Sequence, residues 1–239
     1  MKGDMYIARA SDKAILDKAE CGGAVTALLK FALESQRVNA VLATRAKEGN
    51  RYDGIPVLVS QPEAVLATSG ALHCSSPNIA RYLKEYLDGA SSLKIAIVGK
   101  PCDVKAIIEL AKRNQINLDN LLLIGLNCTG TLPSAKAKTM MKAEFGVDPA
   151  DVVAEDIEDN KLTIRLKDGT EKARDLAELE AREYGRRDNC RRCETNIPTM
   201  ADLACGKWGT TDKNTTFIEV CSEKGSDFIK AAIDGGYIE

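Results

Sequence analysis

The sequence predicts an α/β protein with a mostly parallel sheet and flanking helices, plus a smaller hairpin-containing region that carries a cysteine pair. Three observations predict it. Two continuous apolar runs, KIAIV (94–98) and LLLIGLN (121–127), read as strands buried on both faces. Segments with apolar residues at helical spacing alternate with such runs. After Gly146 the pattern changes to that of a hairpin, with Asp159-Asn160 or Asp168-Gly169 as the turn. The expected division is therefore an α/β region over 1–146 and, over 147–239, a hairpin, a cysteine loop and a terminal strand and helix.

In chain order, Gly22-Gly23 precedes a helical pattern, AVTALLKFALESQ, and a short strand follows from Asn39 to Thr44. Ser76-Pro77 is expected to open a second helix, NIARYLKEYL, because serine is a good N-cap and proline suits a first turn. KIAIV leads through the turn Gly99-Lys100-Pro101-Cys102 to Asp103, the expected cap of VKAIIELAKRN. LLLIGLN ends at Cys128, and TGTLPSAKAKTMMKAEF becomes helical near Pro133. A charged helix, DLAELEARE, enters a long loop over 184–214, followed by a strand, TFIEVCSE, and a last helix, KGSDFIKAAIDGG.

Composition narrows the chemistry. Hydrophobic residues make up 44% of 239 residues, enough for a proper core, and the net charge of −2 gives no footing for nucleic acid. No apolar run approaches the ~20 residues that span a bilayer. The start, MKGDMYIARASDK, lacks the apolar stretch of a signal peptide, so the expected compartment is the cytoplasm. There eight cysteines are expected as buried thiols or ligands, not disulfides. One histidine, His73, leaves little room for imidazole-rich metal sites or triads.

Cys190-Arg191-Arg192-Cys193 is the sharpest local signal, since two thiolates three positions apart can grip one metal centre. The other half must come from elsewhere. Cys102 and Cys128 each follow a predicted parallel strand, and strand carboxyl ends line up along one edge of an open sheet. Three readings stand at this point: a 4Fe–4S cluster, a four-cysteine zinc site, and a redox dithiol. Cys21, Cys74, Cys205 and Cys221 read as buried small side chains, with Cys205 a reserve ligand. Arg182, Arg186, Arg187, Arg191 and Arg192 form either a solvated basic face or the charge compensation of a cluster.

The loop Cys21-Gly22-Gly23-Ala24-Val25-Thr26 before a helix reads either as a tight turn or as a place where backbone meets phosphate. A second polar loop, with Ser69, Gly70, His73, Ser75, Ser76 and Asn78, also precedes a helix, and a diphosphate-containing dinucleotide would fit between the two.

The segments AECGGAVTALLKFAL, YDGIP, SGALHCSSPN, GKPCDVKAI, GLNCTGT, GRRDNCRRC, IPTMADLACGKWG and FIEVCSE together resemble the coenzyme F-420 hydrogenase/dehydrogenase beta-subunit family, and within it the formate dehydrogenase branch of methanogens. The resemblance implies FAD and a 4Fe–4S cluster, with hydride exchange between FAD and the deazaflavin coenzyme F-420. It implies Cys102, Cys128, Cys190 and Cys193 as cluster ligands. It implies Gly22, Gly23, Val25, Thr26, Ser69, Gly70, His73, Ser75, Ser76, Asn78 and Lys100 as cofactor-binding positions. It implies a separate catalytic alpha subunit with a molybdenum or tungsten pterin, and it allows a larger electron-bifurcating complex. Relatives of this branch continue into ferredoxin-like cysteine repeats, which this sequence does not reach. Ferredoxin or a nicotinamide as the electron partner is the alternative on the same scaffold.

Overall fold

The computed structural model describes residues 1–239. The chain runs β1 (Met5–Ala8), α1 (Lys13–Leu16), α2 (Ala24–Glu34), β2 (Ala40–Lys47), β3 (Asn50–Val59), α3 (Ile79–Tyr86), β4 (Ile95–Gly99), α4 (Pro101–Lys112), β5 (Leu121–Leu126) and α5 (Ser134–Phe145). It continues through β6 (Val152–Glu158), β7 (Lys161–Leu166), β8 (Glu171–Asp175), α6 (Leu176–Ala181), α7 (Asp188–Arg191), β9 (Leu203–Gly206), β10 (Thr216–Val220) and α8 (Glu223–Asp234). Seven strands form one sheet in the order β1-β10-β9-β5-β4-β2-β3. The four central ones, β9, β5, β4 and β2, are parallel, while β3, β10 and β1 add antiparallel edges. A second sheet, β6-β7-β8, is an antiparallel meander. The α/β class read from the apolar runs is the one observed.

Strand alternation explains why those runs are continuously apolar. Ala96, Leu122 and Ile124 pack on one face with Leu28, Phe31 and Phe228 of α2 and α8. Ile95, Ile97, Leu121 and Leu123 pack on the other with Leu83 and Ile107 of α3 and α4. Both faces are covered, so no position can be polar. The small sheet makes a third core with α5, through Met140, Met141, Phe145, Leu162 and Ile164. No helix is long and apolar enough to cross a membrane.

Several local expectations are revised. α3 is capped by Asn78, whose side chain accepts from the Arg81 N–H, and not by Ser76. α4 begins at Pro101, so Asp103 is its third residue and accepts from the Lys100 N–H at 3.0 Å. Cys102 therefore sits in the first helical turn rather than in the loop before it. The expected long loop after α6 contains α7 and β9, and both Asp-led pairs are turns, giving three small strands. After Gly146 the chain builds the small sheet and then returns, as β9 and β10, to the large one.

Candidate functional site

The carboxyl ends of the parallel strands open onto one cleft of about 280 Å³, near the lower end of the roughly 300–1,000 Å³ of ordinary small-molecule sites. Thr44 of β2, Gly99 at the end of β4 with Lys100 after it, Leu126 at the end of β5 with Asn127 and Cys128 after it, and Gly206 at the end of β9 with Lys207 after it all line it. Across from them stand Asp156 and Ile157 of β6, so the small sheet supplies the facing wall. An open α/β sheet presents ligands at this edge because helices and loops diverge there.

Of the cofactor positions named from the sequence, Val25, Thr26, Gly70, His73, Ser75 and Lys100 line the cleft. Gly22, Gly23, Ser69, Ser76 and Asn78 do not. Ser69 lies one bond behind the wall, its hydroxyl 3.3 Å from that of Thr26. Ser75 also accepts from the Gly54 N–H at 2.8 Å, which ties its loop to β3. Gly22 and Gly23 have φ of 64° and 70°, and a Cβ on Gly22 would lie 2.8 Å from the backbone of Thr215 and Thr216. On Gly23 it would lie 2.8 Å from the Ile15 side chain. The turn is thus demanded by packing. It delivers the start of α2 to the cleft, where the N–H groups of Ala24, Val25 and Thr26 have no protein acceptor. Lys100 places its ammonium 2.7 Å from the mostly buried Asp103 carboxylate.

The cysteine group adjoins this cleft. Cys128 lines it, and the Cys128 N–H donates to Asn196 O at 2.9 Å, which docks the segment after the Cys-x-x-Cys pair against β5. Gly130 lets the two stretches meet: a Cβ there would sit 2.7 Å from the Arg186 side chain and 3.3 Å from Cys190 Cβ. The Gly130 N–H lies 3.4 Å from Cys128 Sγ, and the Thr131 hydroxyl lies 3.6 Å from Cys190 Sγ. Cys102, Cys128 and Cys190 are close enough to feel one another's charge, and Cys193 is joined to Cys190 by a backbone bond of 3.2 Å. No three cysteine sulfurs lie within 4.8 Å of one another. Cys102 and Cys193 are exposed, whereas Cys205 is wholly buried on β9, and burial raises its pKa strongly.

Four charged groups in the cleft were not assembled from the sequence. Glu20 Oε1 is 3.5 Å from His73 Nε2 and 3.0 Å from Lys207 Nζ, and Lys207 also bonds Asp156 Oδ2. Asp156 Oδ1 is buried without a hydrogen bond, 3.9 Å from His73 Nε2. Burial alone would raise the Glu20 pKa, but His73 and Lys207 outweigh it and bring it down to about 2. Burial would depress His73, yet the Glu20 hydrogen bond and the charges of Glu20, Glu155 and Asp156 raise it. Behind them Glu155, fully buried, accepts from Arg51 Nε at 3.1 Å and from the Cys74 N–H at 3.0 Å, linking β3 to β6. Glu20 and Lys207 stand in AECGG and CGKWG, segments that signalled the resemblance but carried no role.

Two family models described as the coenzyme F420 hydrogenase/dehydrogenase beta subunit match the chain, the one for its N-terminal part over residues 5–81 and the one for its C-terminal part over residues 92–239. The F420-dependent formate dehydrogenase 1 subunit beta of Methanococcus maripaludis is 49% identical over 100% of this chain and 62% of that protein. The F420-dependent formate dehydrogenase subunit beta of Methanocaldococcus jannaschii is 48% identical over 97% of this chain and 60% of that protein. This chain therefore spans about three fifths of the length of these two relatives. The coenzyme F420 hydrogenase subunit beta of Methanococcus voltae is 31% identical over 97% of this chain and 81% of that protein. Among solved structures, a chain from the F420-reducing NiFe hydrogenase complex of Methanosarcina barkeri has the same fold, with a TM-score of 0.86 at 22% identity, covering 100% of this chain and 81% of that one.

Proposed function

The chain belongs to the coenzyme F-420 hydrogenase/dehydrogenase beta-subunit family, and from that premise we propose that it is the flavin- and cluster-bearing subunit of an F-420-dependent formate dehydrogenase. FAD in the cleft supplies the conversion between a two-electron hydride and single electrons, which a deazaflavin and a cubane cluster require of each other. The N–H groups of Ala24, Val25 and Thr26 and the Lys100 ammonium meet the diphosphate. Thr26, Gly70, Ser75 and His73 line the remaining wall, with Ser69 behind Thr26. Cys102, Cys128, Cys190 and Cys193 hold the 4Fe–4S cluster. A zinc ribbon shows two Cys-x-x-Cys knuckles, whereas this chain has one such pair joined by two strand-end cysteines, and a cubane spreads its ligands over four irons. Electrons then pass to a catalytic alpha subunit with a molybdenum or tungsten pterin, in the cytoplasm, and from there a larger electron-bifurcating assembly is accessible.

The observation that carries this reading is Cys128, which lines the cleft and also belongs to the cysteine group. The Cys128 side chain is common to the two sites. The test is flavin and iron analysis of anaerobically purified protein, followed by reduction of a one-electron dye with reduced F-420. A flavin to iron ratio of about one to four is expected, with dye reduction that stops when flavin is removed. Colourless protein, or turnover with a nicotinamide and none with F-420, overturns it.

A further inference from the structure

The single histidine of the chain is held from one side only. Its Nε2 faces Glu20 at 3.5 Å and the orphaned Asp156 oxygen at 3.9 Å. Its Nδ1 makes no hydrogen bond to protein, and the residue lines the cleft. Two carboxylates at one nitrogen and no protein partner at the other, on a residue of the cleft wall, is the arrangement of an imidazole that exchanges protons through its free edge. We propose that His73 is the proton-exchanging group of the cleft, fixed by Glu20 and Asp156 through Nε2 and giving or taking a proton at Nδ1 during hydride exchange. This rests on the reading of the cleft as a flavin site.

The charge balance of the cleft favours this role. Glu20, Asp156 and Lys207 sum to one negative charge, which a protonated His73 cancels. Glu155 also faces the imidazole from β6, but Arg51 already pairs with it. The neighbouring Cys21 and Cys74 thiols have raised pKa values, through burial first and then nearby carboxylates, so they add no charge. Accepting a hydride adds two electrons and one proton to an isoalloxazine and makes it one unit more negative. The His73 Nδ1–H bond then breaks, its proton meets that charge, and a neutral imidazole keeps Nε2–H on Glu20. The reduced deazaflavin that loses the hydride also loses one proton, which returns to His73 at Nδ1, the atom that gave its proton up. Atoms and charge balance in both directions.

The full chain can be tested directly, because one histidine gives one set of imidazole NMR signals. His73 is expected to titrate above the ordinary value of about 6.5, to move back toward it in Glu20→Gln, and to shift its signals when FAD is added. In FAD-loaded chain, single-turnover bleaching by reduced F-420 should fall about tenfold per pH unit above that same midpoint. Glu20→Gln should lower both midpoints together. His73→Gln, measured at saturating FAD with its loading checked by fluorescence titration, should bleach about 100-fold slower with a flat pH profile. A wild-type rate that ignores the His73 midpoint, or a Glu20→Gln variant whose two midpoints separate, overturns the proposal and leaves the flavin reading intact. A wild-type chain that binds no FAD overturns the flavin reading, and the proposal falls with it.

Discussion

The floor of the cleft and the cysteine rim are built in opposite ways. On the floor, Glu20, His73, Asp156 and Lys207 are each less than a third exposed and are paired with one another, and Glu155 behind them has no exposure at all. On the rim, Cys102 and Cys193 are exposed, Arg191 and Arg192 face solvent, and the segment that carries Cys190 and Cys193 has no regular element longer than the four-residue α7. The difference matches the two kinds of traffic the site is proposed to carry. Proton-coupled hydride chemistry needs charges whose positions and protonation are fixed, which burial and pairing supply. Single electrons need only closeness to the next carrier, so thin cover at the surface is an advantage.

The largest expected effect lies on the rim. Replacing Cys102, Cys128, Cys190 or Cys193 by serine should remove most of the iron, while the melting temperature of the metal-free chain stays nearly constant for the two exposed positions. Cys205→Ser should do the reverse. Its hydroxyl would be buried in the core beside Ile218 and Leu203 and lose about 1–3 kcal/mol, with iron retained. Iron analysis and thermal melts of the same five variants decide the matter. Full iron in Cys102→Ser, or iron lost in Cys205→Ser, would exchange the roles of the two cysteines and erase the contrast between rim and floor.

These regions were unequally legible in the sequence. Strand ends announce themselves, since KIAIV and LLLIGLN can be apolar throughout only if buried on both faces, and Lys100 and Cys128 follow directly from them. β3 was missed because Gly54 and Pro56 break its pattern, which an edge strand tolerates. β9 was missed because LACG is four residues inside a turn-rich stretch, and its pairing with β5 and β10 is wholly tertiary. The floor was hidden for the same reason. Glu20, His73, Asp156 and Lys207 come from four distant segments, and no spacing rule relates them. The glycine turn was legible as a turn, but its cause is Thr215 and Ile15, which lie outside the motif.

An intermediate effect should come from the buried pair behind the floor. Arg51→Met removes the guanidinium paired with Glu155 and leaves a fully buried carboxylate without its ion pair, at a cost of about 3–5 kcal/mol. Because Arg51 is on β3 and Glu155 on β6, the loss should loosen the small sheet from the large one. Hydrogen exchange would then quicken first in β6-β7-β8, while β4 and β5 stay protected. Denaturant melts of Arg51→Met beside the double variant Arg51→Met/Glu155→Leu measure it. If the single variant is as stable as the wild type, the floor is not held by buried charge.

The smallest effect is the pH dependence of stability, and the floor should own it. Glu20 has a folded pKa of about 2, below its ordinary 4.5, so its contribution is complete above about 4.5 and is lost as pH falls toward 2. His73 is shifted the other way. Its contribution is complete below about 6.5 and is lost as pH rises through the folded value, which lies higher. The two windows overlap between about pH 4.5 and 6.5, where the network is fully charged and its contribution is greatest. The acid limb amounts to on the order of 1–2 kcal/mol after allowance for partial exposure and for the sharing of charge among four groups. Thermal melts from pH 3 to 9 should therefore show an excess in that window in wild type, flattened in Glu20→Gln and in His73→Gln but kept in Cys193→Ser. The rim variant is the discriminating control: its cysteine lies outside the network, so a Cys193→Ser profile that flattens as well would mean that the two regions titrate as one body and that their opposite construction has no energetic consequence.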